Sequence, residues 1–158
     1  MSQMRIDIPG WGSVDIENIV IDLDGTVATD GRISVEVKEK IAAVSRLAKI
    51  YILTANPQGP ADEEIVGMKA ELIKVSNEES KRGKFDFLKT LDLERTAAVG
   101  NGSNDQLILK EAALGIAVLG DEGLSVSAMK SSDIVVKDIQ GALDLFVKPR
   151  RLITTLGE

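Results

Sequence analysis

Ile19-Val20-Ile21-Asp22-Leu23-Asp24-Gly25-Thr26-Val27 carries the reading of this chain. Branched apolar residues run straight into two carboxylates and then into glycine and threonine. A continuous apolar run bounded by a turn signal is the pattern of a buried strand. Asp22 and Asp24 stand where that strand ends. In open α/β sheets ligands bind at the carboxyl ends of the strands, so the stretch reads as a central strand that delivers two acids to a site.

Outward from it, strands and helices alternate. Upstream, Arg5-Ile6-Asp7-Ile8 and Ser13-Val14-Asp15-Ile16 alternate polar and apolar around Pro9-Gly10-Trp11-Gly12, a β-hairpin signature. Trp11 at its tip is expected to be half-buried, with contact to a partner as the alternative. Downstream, Ser34 is placed to cap a helix whose inner face is Val37, Ile41, Val44 and Leu47. Strands are expected at 50–53, 70–75, 96–99, 115–118 and 133–136. A loop is expected at 56–60, with Pro60 opening a short helix over 61–68. Further helices are expected at 78–91, from Asn104 or Asp105 through Ala113, and at 123–130, 141–146 and 150–156. This alternation predicts an α/β fold, a mostly parallel central sheet with helices on both faces. One domain over 1–158 is expected, made of the hairpin (1–17), a core (18–136) and terminal helices (137–158).

Composition narrows the chemistry. The chain has 158 residues, 44% hydrophobic and 28% charged, and a formal net charge of −6. It shows no basic block, which argues against a nucleic-acid face. It has no long apolar run and no apolar leader after Met1-Ser2-Gln3-Met4-Arg5, so no membrane association and a cytoplasmic location are expected. With no cysteine and no histidine there is no thiolate, no zinc-thiolate site and no imidazole base. Hydrolytic chemistry must then run through Asp, Glu, Lys, Ser or Thr, with an oxygen-binding metal.

Three strand ends carry polar clusters: Asp22 with Asp24, Thr54-Ala55-Asn56, and Gly100-Asn101-Gly102-Ser103-Asn104-Asp105. Parallel strands bring such ends to one edge. The set suits phosphoryl transfer. Asp22 is the candidate nucleophile, since a carboxylate needs no base to react. Asp24 is the candidate general acid, then base. Asp22 and Asp105 are candidate Mg²⁺ ligands. The glycine-flanked loop at Asn104 offers backbone N–H groups to an anion, while Thr54 and a lysine would hold phosphoryl oxygens.

These residues resemble the haloacid dehalogenase (HAD) superfamily, mostly phosphatases. Asp22-Leu23-Asp24-Gly25-Thr26 is similar to its first motif, Thr54 to its second and a lysine before the helix preceding the 96–99 strand to its third. Gly100-Asn101-Gly102-Ser103-Asn104-Asp105 is similar to its fourth, usually Gly-Asp-Gly-x-Asn-Asp. Within the superfamily the chain most resembles the capless soluble P-type ATPase-like phosphatases. Leu23 and Asp24 stand where pump cores carry Lys and Thr.

The resemblance implies a Rossmannoid three-layer sandwich with a minimal cap or none, and Mg²⁺ as cofactor. It implies a phosphatase working through an aspartyl-phosphate on Asp22. Asp24 would be acid/base, with Thr54 and Lys84 at the phosphoryl group; Lys81 is the alternative to Lys84. Gly25, Thr26, Ala55, Asn56 and Asn104 would bind substrate phosphate. Asp22, Asp24 through its carbonyl, Asn101 and Asp105 would bind the metal. Asn101 replaces the usual Asp and removes one negative charge. The competing reading is therefore a catalytically weak protein that binds metal, phosphate or a partner. A receiver-domain reading fails at Lys74-Val75-Ser76-Asn77, where a phospho-accepting Asp is required. Substrates are expected to be phosphorylated small molecules or phosphoproteins, and an uncapped site could be covered by a neighbouring subunit of a homo-oligomer.

Overall fold

The computed structural model describes residues 4–56, 59 and 61–158. Pro57, Gln58 and Pro60, named above in a loop and a helix start, lie outside the described residues, as do Met1, Ser2 and Gln3. The described strands are β1 (Met4–Ile8), β2 (Gly12–Ile16), β3 (Asn18–Asp22), β4 (Lys49–Thr54), β5 (Glu71–Lys74), β6 (Thr96–Gly100), β7 (Leu114–Val118) and β8 (Ile134–Val136). The helices are α1 (Val35–Val44), α2 (Ala61–Glu64), α3 (Ser80–Leu88), α4 (Gln106–Glu111), α5 (Val126–Ser131), α6 (Ile139–Val147) and α7 (Arg150–Leu156). Strands β1 and β2 form an antiparallel hairpin, and the other six form a parallel sheet in the order β5-β4-β3-β6-β7-β8.

The strand that opens the reading sits inside this sheet, paired with β4 on one side and β6 on the other. Its side chains alternate between faces, as a pleated strand requires. Ile19 and Ile21 enter one apolar core with Val37, Ile41 and Val44 of α1, Leu143 of α6 and the hairpin residues Ile6, Ile8, Val14 and Ile16. Val20 enters a second core with Leu88 of α3, Ile108 and Leu109 of α4 and Ala128 of α5. With both faces covered, β3 carries only apolar residues between Asn18 and Asp22, which is why 19–21 read as an unbroken apolar run.

Several boundaries move. Helix α1 is capped as expected, the Ser34 hydroxyl accepting from Val37 N at 3.2 Å. It stops at Val44, and Leu47 packs from the following turn. Helix α2 covers 61–64 rather than 61–68: its residues Ala-Asp-Glu-Glu bury a single side chain, Ala61, and short helices need an apolar face to persist. Helix α3 runs 80–88 rather than 78–91; it starts after Glu79, whose left-handed conformation (φ 55°) a helix cannot continue through. A 3-10 turn at Ser103–Asp105 precedes α4, which starts at Gln106 and ends at Glu111. Helix α5 starts at Val126, not Gly123, capped by Ser125. Helix α6 is longer than read, 139–147, with Asp138 accepting from Gly141 N. Trp11 is exposed rather than half-buried, at 36%. No described helix is long and apolar enough to cross a membrane.

Candidate active site

The carboxyl ends of β3, β4 and β6 lie at one edge of the sheet because all three strands run parallel. That edge receives Asp22, Thr54 and the loop after Gly100. Helix α3 approaches from the second core and brings Lys84 to the same place. The Lys84 side chain is 1% exposed, between Asp22 at 4% and Asp105 at 0%.

Its ammonium donates to Asp22 Oδ1 at 2.6 Å, to Asp105 Oδ1 at 2.8 Å and to Asn104 Oδ1 at 3.0 Å. Burial disfavours the lysine charge, yet the two carboxylates together outweigh it and hold the ammonium above its ordinary range. Burial first, and then the charge of Asp105, pushes the Asp22 carboxyl well above the usual range, with Lys84 opposing. With both acids ionised, two carboxylates and one ammonium would leave this buried group with a residual negative charge. Lys81, the other lysine weighed, instead donates to Gln106 Oε1 at 2.9 Å.

The remaining contacts fix each acid separately. Asp105 Oδ2 accepts from the backbone N–H groups of Asn101 (3.1 Å) and Gly102 (3.0 Å). Gly100 makes room for it, since a Cβ there would lie 2.5 Å from Asp105 Cγ. Thr26 Oγ1 lies 3.1 Å from Asp22 Oδ2 and 2.9 Å from Asn101 Oδ1, both within bonding range of its hydroxyl. Gly25, at φ +83°, turns the chain immediately after Asp24. Asp22 is buried and Asp24 exposed, so the acid pair is divided between two environments.

Asp24 Oδ2 accepts from the Thr54 hydroxyl at 2.7 Å. Thr54 Oγ1 in turn accepts from Asn56 N at 3.1 Å, which leaves its own proton directed at Asp24. A cleft of about 400 Å³ opens beside Asp24, walled by Ala55, Asn56, Asn104, Asp30, Gly31 and Glu122. Asp22, Asp24, Thr26, Thr54, Lys84, Asn101, Asn104 and Asp105 therefore share hydrogen bonds at this edge, Ala55 and Asn56 stand on the cleft wall, and Gly25 lies against the Asn101 side chain.

Sequence reading missed the segment that closes on the far side. Asn101 Nδ2 donates to Gly123 O at 3.1 Å, and Asn101 O accepts from Ser125 N at 2.8 Å. Glu122 Oε2 accepts from Asp30 N at 2.9 Å. Nothing in the local pattern of 120–125 announces these long-range contacts. Ser80, which accepts from Asn104 Nδ2 at 3.1 Å, was also missed. Its signal was present: it lies four residues before Lys84, on the same helical face.

Oxygen donors fit a hard divalent cation, and the residual negative charge between Asp22 and Asp105 would be satisfied by one. Among the described residues no group of three or more acidic, His or Cys side chains is placed to hold a metal. A bound Mg²⁺ would thus depend on two carboxylates, carbonyl oxygens, water and substrate.

No protein-family model matches the chain. The chain is 47% identical over 92 residues to the uncharacterized protein MJ0073 of Methanocaldococcus jannaschii, covering 56% of this chain and 97% of that protein. It is 30% identical over 146 residues to a soluble P-type ATPase-like phosphatase of the same organism, covering 88% of this chain but 52% of that protein's length. Among solved structures, 3-deoxy-D-manno-octulosonate 8-phosphate phosphatase from Moraxella catarrhalis superposes with a TM-score of 0.70 at 16% identity, covering 88% of this chain and 90% of that one. That structure is a complex with magnesium ion, phosphate ion and the KDO molecule. The chain thus belongs to one family with the M. jannaschii protein MJ0073, and its fold is that of the haloacid dehalogenase superfamily.

Proposed function

We propose that this protein is a Mg²⁺-dependent phosphatase that hydrolyses a phosphoester through an aspartyl-phosphate on Asp22. The observation that carries the reading is the buried Lys84 ammonium joining Asp22 to Asp105, with Asp24 and Thr54 alongside. The relatives named above support it.

In this reading an Asp22 carboxylate oxygen attacks phosphorus and the bond to the ester oxygen breaks. Asp24 gives that leaving oxygen a proton. Thr54 engages one Asp24 oxygen, which leaves the other to carry the proton into the cleft. Asp24, now a carboxylate, takes a proton from water. The water oxygen attacks phosphorus, inorganic phosphate leaves and the Asp22 carboxylate is restored. Lys84 offsets the charge that spreads over the phosphoryl oxygens. Asp22, Asp105, Asn101 and the Asp24 carbonyl would hold Mg²⁺, whose chemistry there is Lewis-acid neutralisation of phosphoryl oxygens. Phosphorylated small molecules and phosphoproteins both suit a cleft that opens to solvent.

The test is phosphate release from a panel of phosphoesters with and without Mg²⁺, with Asp22→Asn as control. Turnover that needs both Mg²⁺ and Asp22 is expected. Its absence on every ester would favour the second reading, a protein that binds metal, phosphate or a partner without turnover, which Asn101 supports.

Asn101 also carries a sharper expectation. Its amide meets a hydroxyl at one atom and the Gly123 carbonyl at the other. Asn101→Asp adds a charge for Mg²⁺ but sets a carboxylate against that carbonyl. The variant should half-saturate at lower Mg²⁺, while losing about 1–3 kcal/mol of metal-free stability. A Mg²⁺ titration of phosphate release and a urea melt in chelator check the two halves. An unchanged half-saturation would remove Asn101 from the metal site.

A further inference from the structure

A lysine ammonium has three protons, and each of those on Lys84 has an acceptor: Asp22, Asp105 and Asn104. The Asn104 bond, at 3.0 Å to a neutral oxygen, is the longest of the three and the weakest by charge. It is therefore the one a phosphoryl oxygen can displace. Asp105 is anchored by two backbone N–H groups, and Thr26 lies within bonding distance of Asp22. Asn104 has a different anchor: its Nδ2 donates to Ser80 Oγ at 3.1 Å. This contact settles which way the amide faces. Its oxygen must meet the ammonium, because its NH₂ group would place donor against donor, so the NH₂ group needs an acceptor on the other side.

We propose that Ser80 is a positioning residue: through Asn104 it fixes the direction of the Lys84 ammonium, and the Asn104 oxygen keeps the third ammonium proton engaged until a phosphoryl oxygen takes it.

The start of α3 fits this role. Serine at a helix start commonly caps its own backbone. Here the cap position is Glu79, in the left-handed region at φ 55°, with no side-chain cap bond. Ser80 is thereby the first residue of α3, one turn before Lys84, with its hydroxyl bonded to Asn104 across to the 103–105 turn. Backbone strain at such a place persists when the surroundings hold it.

The catalytic half of this inference rests on the phosphatase reading, and the geometric half does not. The experiment separates them. In the full chain without substrate, the Lys84 ammonium is observed by ¹⁵N–¹H NMR and assigned by its loss in Lys84→Met. Ser80→Ala should speed exchange of the ammonium protons by about tenfold, and Ser80→Thr, which keeps a hydroxyl, should restore them to within about twofold. In turnover, Ser80→Ala should lower kcat about fivefold with KM nearly unchanged, again restored by Ser80→Thr. Melting curves recorded alongside exclude a general loss of fold. Unchanged ammonium exchange in Ser80→Ala overturns the proposal. An active wild type whose kcat ignores Ser80→Ala overturns its catalytic half. A wild type with no Asp22-dependent turnover overturns the phosphatase reading instead, and the ammonium exchange still decides the role of Ser80.

Discussion

Replacing Asp22 with asparagine should abolish phosphate release, by about 10⁴-fold or more, and make the metal-free protein more stable. The two effects have one cause. Asp22 is buried, faces the charge of Asp105, and has its carboxyl pushed well above the usual range. The proposed attack on phosphorus requires it ionised; folding does not. Asparagine keeps the shape and an oxygen for Lys84 while removing the charge. A gain of about 1 kcal/mol raises the melting temperature by about 2–4 °C in a chain of this size. Mg²⁺ should reverse the order, because it stabilises whichever protein binds it more tightly. Thermal melts of both proteins, in chelator and in Mg²⁺, check this. A variant that melts lower than wild type in chelator would show that Asp22 contributes to folding rather than opposing it.

Lys84→Met should be the most destabilising single change at the site. It removes the cation between two buried carboxylates, 1% exposed beside neighbours at 4% and 0%. Breaking a buried pair by removing one partner costs about 3–5 kcal/mol. The cost should depend on pH in a defined direction. Asp22 already has a folded-state pKa above its unfolded one. Without Lys84 it rises further, so between the two values the folded chain binds more protons than the unfolded chain. Stability then falls as pH rises through that window and recovers as pH is lowered. Urea unfolding of wild type and variant across the acid range should show the deficit shrinking toward low pH. A deficit independent of pH would mean that lost packing of the long lysine stem, not lost charge, is responsible.

Much of this arrangement was legible in the chain. The order of strands, the parallel sheet and the convergence of three strand ends follow from apolar runs and their polar terminators, since burial on both faces leaves no polar position between Asn18 and Asp22 of β3. Spacing favours Lys84, with Phe87, Leu88 and Leu91 three, four and seven residues on, but leaves Lys81 open, because both lie near one face of a helix. What distinguishes them is which one faces the two acids across the sheet edge. Helix ends were less legible. Glu79 stops α3 through its backbone conformation, which glutamate does not advertise. The contacts from 120–125 to Asn101 and Asp30 join residues distant in sequence, so no local pattern records them.

The sheet order also bears on how the chain reaches its native state. Strand β3 pairs on one side with β4, where Asn18 meets Lys49, and on the other with β6, where Asn18 meets Thr96. The first pairing closes a short loop; the second closes a much longer one and pays more chain entropy. Asp22 and Lys84 stand before that second pairing in sequence, and Asp105 after it. A partly folded chain holding only β3 to β5 and α3 has Asp22 and its lysine but not the opposing acid. The full charge cluster can form only when β6 docks, so assembly of the site and the pairing of β6 with β3 are one event. Fluorescence or NMR signals placed at Lys84 should therefore report global folding rather than local closure.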